Sequence, residues 1–477
     1  MAGTFLLGQQ KERPGTYFRT EAVGITAVGA INGVCAAIFS SNWGEADKVV
    51  ELTVDQINSL DELYGTGAAF LREIFIGGAQ MIRAYRVNNT DSATAATVTL
   101  KNTADTPADA LKISARHVGN RTFDVTIRPN LLDSSIHQLI FSEGDNIFET
   151  VEFESGGDEA AKIVEALANN KNFIGQKLGT GGTLGLITQA GTMTGGVDPV
   201  TDIEGYTKAT EALDRFNWNA LVCDKDNQSE NRYRELMIQY AQTCYEGGRL
   251  GIAVLAGLST ETLATRLQMA KSINSPLVVF LLNGWKGLDG TVYNGYLGAA
   301  RLAGMIAGCE TNTSLAHLVI DNATELIEPL TNAELIRAIN CGCLALCLND
   351  DDQVIIDSAI TTLITPDSNH DDGWKKIRRV KCRFELMSRV NRTCDKYVAR
   401  LNNDSNGRST ILAAMQGIIN EMIGEGKLFV GSRAELDSRY TPAGDSAWFV
   451  LEIDDIDSLE KLYLTYRFSY ARRLASD

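Results

Sequence analysis

Asn217-Trp218-Asn219-Ala220-Leu221-Val222-Cys223 holds a short apolar strand signal between two helix-period segments, residues 202–216 before it and 230–244 after it. The alternation continues through strand 250–256, helix 260–272, strand 277–282, helix 296–307, strand 315–320 and helix 332–340. Continuous apolar strands separated by helices predict a parallel sheet covered on both faces by its crossover helices. Residues 197–360 are thus expected to be an α/β domain.

Towards the N-terminus, residues 21–87 carry strands of the same kind at 33–39, 48–53 and 81–87, with short helices at 54–64 and 68–76. Membership of one sheet would make the intervening block an insertion. That block, residues 88–196, has alternating runs at 96–100, 111–115, 122–128, 136–141 and 147–153 and one helical stretch, 158–169. Asn88-Asn89, Gly119-Asn120, Pro129-Asn130 and Gly144-Asp145 punctuate it with turn chemistry, so it reads as a small β-rich domain.

In the last segment, Ile377, Val380, Phe384, Met387, Val390, Cys394, Tyr397 and Leu401 recur at steps of three and four and predict a long amphipathic helix. Ten Lys/Arg lie between residues 375 and 400, among them Lys375, Lys376, Arg378, Arg379, Lys381 and Arg383, against only Glu385 and Asp395. Such a field seeks a counter-charge, and with few interleaved aromatics a protein partner fits better than nucleic acid. A second helix is expected at 409–423. In residues 460–470, Leu462, Leu464, Tyr466, Phe468 and Tyr470 alternate with more polar positions, as in a strand with one apolar face. The first 20 residues read as an extended arm with strand-like pieces at 4–7 and 16–19, the second carrying Tyr17 and Phe18.

The chain has 477 residues, 44% of them hydrophobic, enough for about three domains with their own cores. With 44 Lys+Arg against 60 Asp+Glu the net charge is −16, which disfavours overall attraction to nucleic acid or anionic lipid. The acidity is uneven: residues 361–477 hold 18 Lys+Arg and 17 Asp+Glu, so the excess acid belongs to residues 1–360. Leu6-Leu7 followed by Lys11, Glu12 and Arg13 offers no signal-peptide core, and no run approaches a membrane span, so a cytoplasmic protein without membrane insertion is expected.

Catalytic and metal readings find little support. Gly179-Thr180-Gly181-Gly182-Thr183-Leu184-Gly185 lacks the Lys-Ser/Thr ending of a phosphate loop. Asp224, Asp226, Gln228, Glu230 and Glu235 follow calcium-loop spacing, but Ser229 stands where the turn needs Gly. Cys341, Cys343 and Cys347 lack the partners for zinc, and His117, His137, His317 and His370 stand beside no nucleophile motif. No catalytic, cofactor-binding or metal residue is therefore expected. Two strand-forming termini on a core that looks complete without them instead suggest strand exchange between subunits.

With these parts in order, the chain resembles the tail sheath proteins of contractile phage tails and phage-tail-like (R-type) bacteriocins. The resemblance is carried by Arg13-Pro14-Gly15-Thr16-Tyr17-Phe18-Arg19, the strand and turn 33–44, Gly195-Gly196-Val197-Asp198 before the helix 202–216, the segment 217–223, and the C-terminal pair of basic helix and terminal strand. It implies a non-enzymatic subunit that stacks as hexameric rings around a tail tube and contracts to drive that tube through a cell envelope. The implied layout is an N-terminal arm (1–20), an α/β core domain in two parts (21–87 and 197–360), an inserted β-rich protruding domain (88–196), a tube-proximal α+β C-terminal domain (361–458) and a C-terminal strand arm (459–477). Tyr17, Phe18, Leu462, Leu464, Tyr466, Phe468 and Tyr470 would then mediate strand exchange, and Lys375, Lys376, Arg378, Arg379, Lys381 and Arg383 would face the tube. The implied partners are further copies of the chain, a tube protein, and baseplate and tail terminator proteins, with no direct nucleic-acid contact. The implied place is the host cytoplasm and then a virion tail or released particle. The competing expectation is a cytoplasmic α/β enzyme or ligand-binding protein with an inserted lid.

Overall fold

The computed structural model describes residues 2–4, 16–18, 33–88, 93–226 and 232–468. It is a mixed α/β structure with several sheets. Its central sheet has six strands in the order Val278–Leu281, Ile252–Ala256, Ala220–Cys223, Val34–Phe39, Met81–Arg86, Val49–Thr53. All pairings are parallel except that of the edge strand Val49–Thr53. Val34–Phe39 is buried at every position, as expected of a central parallel strand covered on both faces.

The two segments that supply this sheet meet where Ala220 pairs with Cys35 and Cys223 with Ile38. Residues between them therefore leave the sheet and return to it. Thr94 and Val197 form an antiparallel bridge where the excursion begins and ends. Inside it, a four-stranded antiparallel sheet runs Asn146–Glu154, Ile136–Glu143, Asp124–Pro129, Ile187–Thr192, and a three-stranded one runs Phe173–Lys177, Asp109–Ala115, Thr97–Lys101. The helix Glu159–Ala166 packs beside them, and Phe141 stacks on Phe173 at 3.7 Å in their shared core.

That core also takes in Trp43, which stands on the loop after Val34–Phe39. Arg86, almost wholly buried, donates to the carbonyls of Ser41 (3.1 Å), Gly44 (2.7 Å) and Val118 (2.7 Å). Arg121 holds Glu143 by two 2.8 Å bonds and reaches the carbonyl of Asp61 at 2.9 Å. Gly119 sits at φ +142° so close to Asn42 that a Cβ would lie 2.0 Å from its carbonyl oxygen. The excursion is thus welded to the sheet by buried charge-assisted hydrogen bonds and an aromatic plug.

Several expected elements differ. Residues 315–320 form turns rather than a strand, with His317 at φ +62° and only Val319 bridging Ile355. The cysteine cluster lies mostly in a turn after the helix Asn332–Asn340, and only Cys347 is in a strand, Leu346–Leu348. The long basic helix ends at Asp395, and its neighbour is the longer Ser405–Gly424. Residues 460–468 have no regular secondary structure and pair with no strand among the described residues, and Tyr470 lies outside them. At the other end Thr16–Phe18 pairs in parallel with Ala2–Thr4, while most of the first 32 residues lie outside the described set.

The helices Ala68–Ile76 and Gly295–Gly308 cross with almost no side-chain thickness between them: a Cβ on Gly304 would lie 2.0 Å from the Ile74 carbonyl oxygen. Arg301 and Glu73 seal the same crossing with a buried ion pair at 2.7 Å. Gly304→Val is expected to cost about 3 kcal/mol or more by overpacking. Gly417→Ala, in a helix where the added methyl meets open space, is expected to gain about 0.5–1 kcal/mol. Denaturant unfolding of the two variants checks both signs.

Candidate assembly surface

The helix Ile377–Asp395 is apolar on two sides. Ile377, Val380 and Phe384 enter the main core, while Cys382, Leu386 and Val390 pack with Met415, Ile418, Ile419 and Met422 of Ser405–Gly424. The sequence pattern read as one stripe is therefore joined by a second, and the cations between the stripes are drawn inward.

All six named cations have partners within the chain. Lys375 pairs with Asp372 at 2.7 Å and Lys376 with both Asp457 and Glu460 at 2.9 Å. Arg379 grips Asp455 at 2.9 and 2.5 Å, and Arg383 joins the same carboxylate at 3.1 Å while bonding Asp371 at 2.8 Å. Arg378 donates to the Ile456 carbonyl and Lys381 to the Cys309 carbonyl. Burial pulls the Lys381 ammonium down to about 8. A tube-facing role for these residues would require such pairs to open, Lys375 being the most exposed of them. Deeper along the helix, Glu385 is bound by Thr311, Arg389 and Lys427.

Residues 453–460 run along this helix before the chain leaves the body. Ile456 N–H donates to the Lys427 carbonyl and Phe429 N–H to the Asp454 carbonyl, 3.0 and 2.8 Å. Ser314 Oγ donates to Glu460 at 3.2 Å. Beyond that point Leu462, Tyr463, Leu464, Tyr466 and Phe468 are exposed by 64% or more. Nearby in sequence is a hairpin that the sequence pattern did not single out, Arg433–Leu436 with Phe449–Glu452, a sheet of two strands among the described residues. The apolar run Phe449-Val450-Leu451 was its available signal. Val430, Phe429, Tyr440 and Trp448 add exposed apolar surface around it.

The residues weighed for catalysis or metal binding are explained locally. Amides of the glycine-rich loop are taken by the chain's own carboxylates: Gly182 N–H donates to Asp158 at 3.0 Å, and Leu184 and Gly185 N–H to Glu159 at 2.7 and 3.0 Å. Asp224 accepts from Ser40 N–H at 2.8 Å and from Tyr206 Oη, whereas Gln228 and Glu230 lie outside the described residues. Burial raises Asp226 to about 6, with the Tyr296 N–H opposing that rise. His117 packs edge-on against Trp43 and is held down at about 4 by burial, then by Arg86. His137 faces Glu159 at 3.3 Å, and His370 bonds Asp367 at 3.0 Å. All nine cysteines are unbridged. Among the described residues no cluster of His, Cys, Asp and Glu has a metal-binding arrangement, and no helix is long and apolar enough to cross a membrane.

Burial pushes the Asp455 carboxyl up, but Arg379 and Arg383 outweigh it and hold it at about 2, below its ordinary 3.8. A depressed carboxyl stabilises the fold above its unfolded pKa, and the contribution is lost as the native form protonates. Hydrogen-exchange protection of residues 453–457 is therefore expected to be full above about pH 4 and to fall towards pH 2. The central strand Ile252–Ala256 provides the internal reference in the same exchange measurement.

A family model described as the phage tail sheath protein central domain matches residues 202–362. No curated protein matches the chain. Among solved structures, a sheath tail protein from Desulfitobacterium hafniense is 17% identical with a TM-score of 0.70, covering 93% of this chain and 100% of its own. A sheath tail protein from Listeria innocua is 16% identical with a TM-score of 0.65, covering 89% and 96%. The anti-feeding prophage helical sheath in its contracted state is 11% identical with a TM-score of 0.53, covering 96% and 100%. Residues 202–362 are therefore similar to the tail sheath central domain, and over nearly its whole length the chain shares the fold of these sheath proteins.

Proposed function

We propose that the protein is a structural, non-enzymatic subunit of a contractile sheath. Copies stack helically as hexameric rings around a tail tube, and contraction drives the tube through a target envelope. The observation that carries this reading is the exposed apolar arm, residues 461–468, which pairs with no strand among the described residues, together with a two-stranded hairpin with strand edges to offer. In a lone chain such an arm leaves apolar surface in water; in a polymer it can complete a neighbour's sheet.

The energetics favour capture. Six added backbone hydrogen bonds contribute about 1 kcal/mol each, and each buried Leu, Tyr or Phe roughly 1.5–3 kcal/mol. Lys461 and Arg467 give the arm positive charge, while residues 433–454 keep an acidic excess, five Asp/Glu against Arg433 and Arg439, which pair with Glu435, Glu452 and Asp437. Complementary charge of this kind favours docking of the arm of one copy on the hairpin of another. Tyr17 and Phe18 are assigned to the same exchange at the N-terminal arm, as is Tyr470 beyond the described residues.

The division into arms, α/β core, protruding insert and tube-proximal C-terminal domain is part of the proposal. So are contacts with a tube protein, baseplate and terminator proteins, and residence in the host cytoplasm before release in a virion tail or phage-tail-like particle. Tube contact is assigned to Lys375, Lys396 and Arg400, the more exposed cations of the basic stretch. The enzyme-with-lid reading has less support, because a lid needs a hinge and the insert is tied to the sheet through Arg86, Arg121 and Trp43.

Electron microscopy of the purified chain, alone and with a co-expressed tube protein, tests the proposal. Tubes or stacked rings are expected; uniform single particles under every condition would refute it. Removing residues 461–477 is expected to leave the melting temperature within about 2 °C, since Leu462, Tyr463, Leu464, Tyr466 and Phe468 are mostly exposed, while abolishing polymerisation. A truncated chain that still polymerises would exclude exchange of this arm.

A further inference from the structure

Helix cations that sequence composition assigns to a partner converge on one short segment of their own chain. Lys376, Arg378, Arg379 and Arg383 all bind within residues 455–460, through Asp455, the Ile456 carbonyl, Asp457 and Glu460. Asp455 lies almost completely buried between two guanidiniums. The contacts stop abruptly: Glu460 is held from two sides, by Lys376 and Ser314, and Leu462 is already mostly exposed. The boundary between bound and unbound chain thus coincides with the last carboxylate of the network.

We propose that these four cations form a clamp that fixes where the C-terminal arm leaves the body, so that load on the arm passes into the basic helix rather than peeling the segment away. The inference rests on the reading of the arm as an exchanged strand and assigns Lys376, Arg378, Arg379 and Arg383 as its positioning residues. The geometry suits the task. Arg379 holds Asp455 through two nitrogens, Arg383 links that carboxylate to Asp371 before the helix, and the helix itself is wedged between two apolar cores. Bidentate guanidinium pairs fix direction as well as contact, which a single ammonium in water would not.

The test uses the full-length chain and two independent perturbations. Lys376→Glu reverses a partly exposed charge outside the cores and sets it against Asp457 and Glu460. The double variant Arg379→Gln with Arg383→Gln removes the buried half. In both, hydrogen exchange of residues 453–460 is expected to accelerate by about tenfold or more while the central strand is unchanged. Polymer yield by sedimentation is expected to fall by about tenfold as well. Adding Asp457→Lys and Glu460→Lys to Lys376→Glu re-forms the pairs with opposite sign and is expected to restore both readouts, which loss of fold would not permit. Unchanged exchange in Lys376→Glu and in the double variant would overturn the clamp, as would faster exchange with undiminished polymer. Failure of the unmodified chain to polymerise would refute the sheath reading instead, and the exchange result would still decide whether the cations hold the segment.

Discussion

Everything in this molecule depends on one strand pairing: Val34–Phe39 against Ala220–Cys223 in the middle of the parallel sheet. It joins segments separated by roughly 185 residues, yet the entropic cost of closing a long loop grows only slowly with length. Two fully buried strands offset that cost through apolar burial and a continuous hydrogen-bond ladder. Once the pair forms, the excursion between them must begin and end at adjacent points. Its attachment follows: Trp43, Arg86, Gly119 and Arg121 all lie near the junction and lock it.

The second organising constraint is the position of the basic helix between two cores. A helix with one apolar side can turn its cations to water. One packed on two sides cannot, and desolvated cations must then find carboxylates or carbonyls close by. Asp455, Asp371 and Glu385 do this for the arginines, and Lys381, reaching only a carbonyl oxygen, has its ammonium pulled down. Much of this charge is thus paired within the chain, where the sequence pattern suggested an outward surface. Apolar side chains are external in the arm, where an isolated fold would hide them.

This inversion links structure to function. A subunit that joined its neighbours through exposed charge would hold them by interactions that salt weakens. Joined by an added strand, neighbours keep directional hydrogen bonds and apolar burial while the bodies rearrange, provided the root of the strand is fixed. In the proposed assembly the welded insert and the clamped arm root would serve the same mechanical end, a body that moves as a unit and a connection that does not creep.

The alternation of apolar strands with amphipathic helices over 202–340 determined the α/β class, and the turn-rich alternation between Asn88 and Gly196 determined the β-rich character of the insert. Both are local periodicities, which side-chain pattern alone encodes. The alternation at 462–470 suggested a strand, but residues 462–468 form none within the described chain, because a strand needs a ladder partner that local alternation does not supply. His317 shows the limit in the other direction: an apolar run became a turn because its neighbours supply only an isolated bridge to Ile355 rather than a ladder. The role of the cations at 376–383 was illegible for a related reason. Their carboxylate partners lie some 70 to 80 residues away, and spacing along a helix reports which face a residue occupies, not what packs on that face. Sequence by itself determined the α/β alternation of the core, the β-rich character of the insert and the two amphipathic helices near the C-terminus. Only the tertiary structure decided which charges are satisfied within the chain and which apolar surface stays exposed, because both depend on contacts between segments that no local period records.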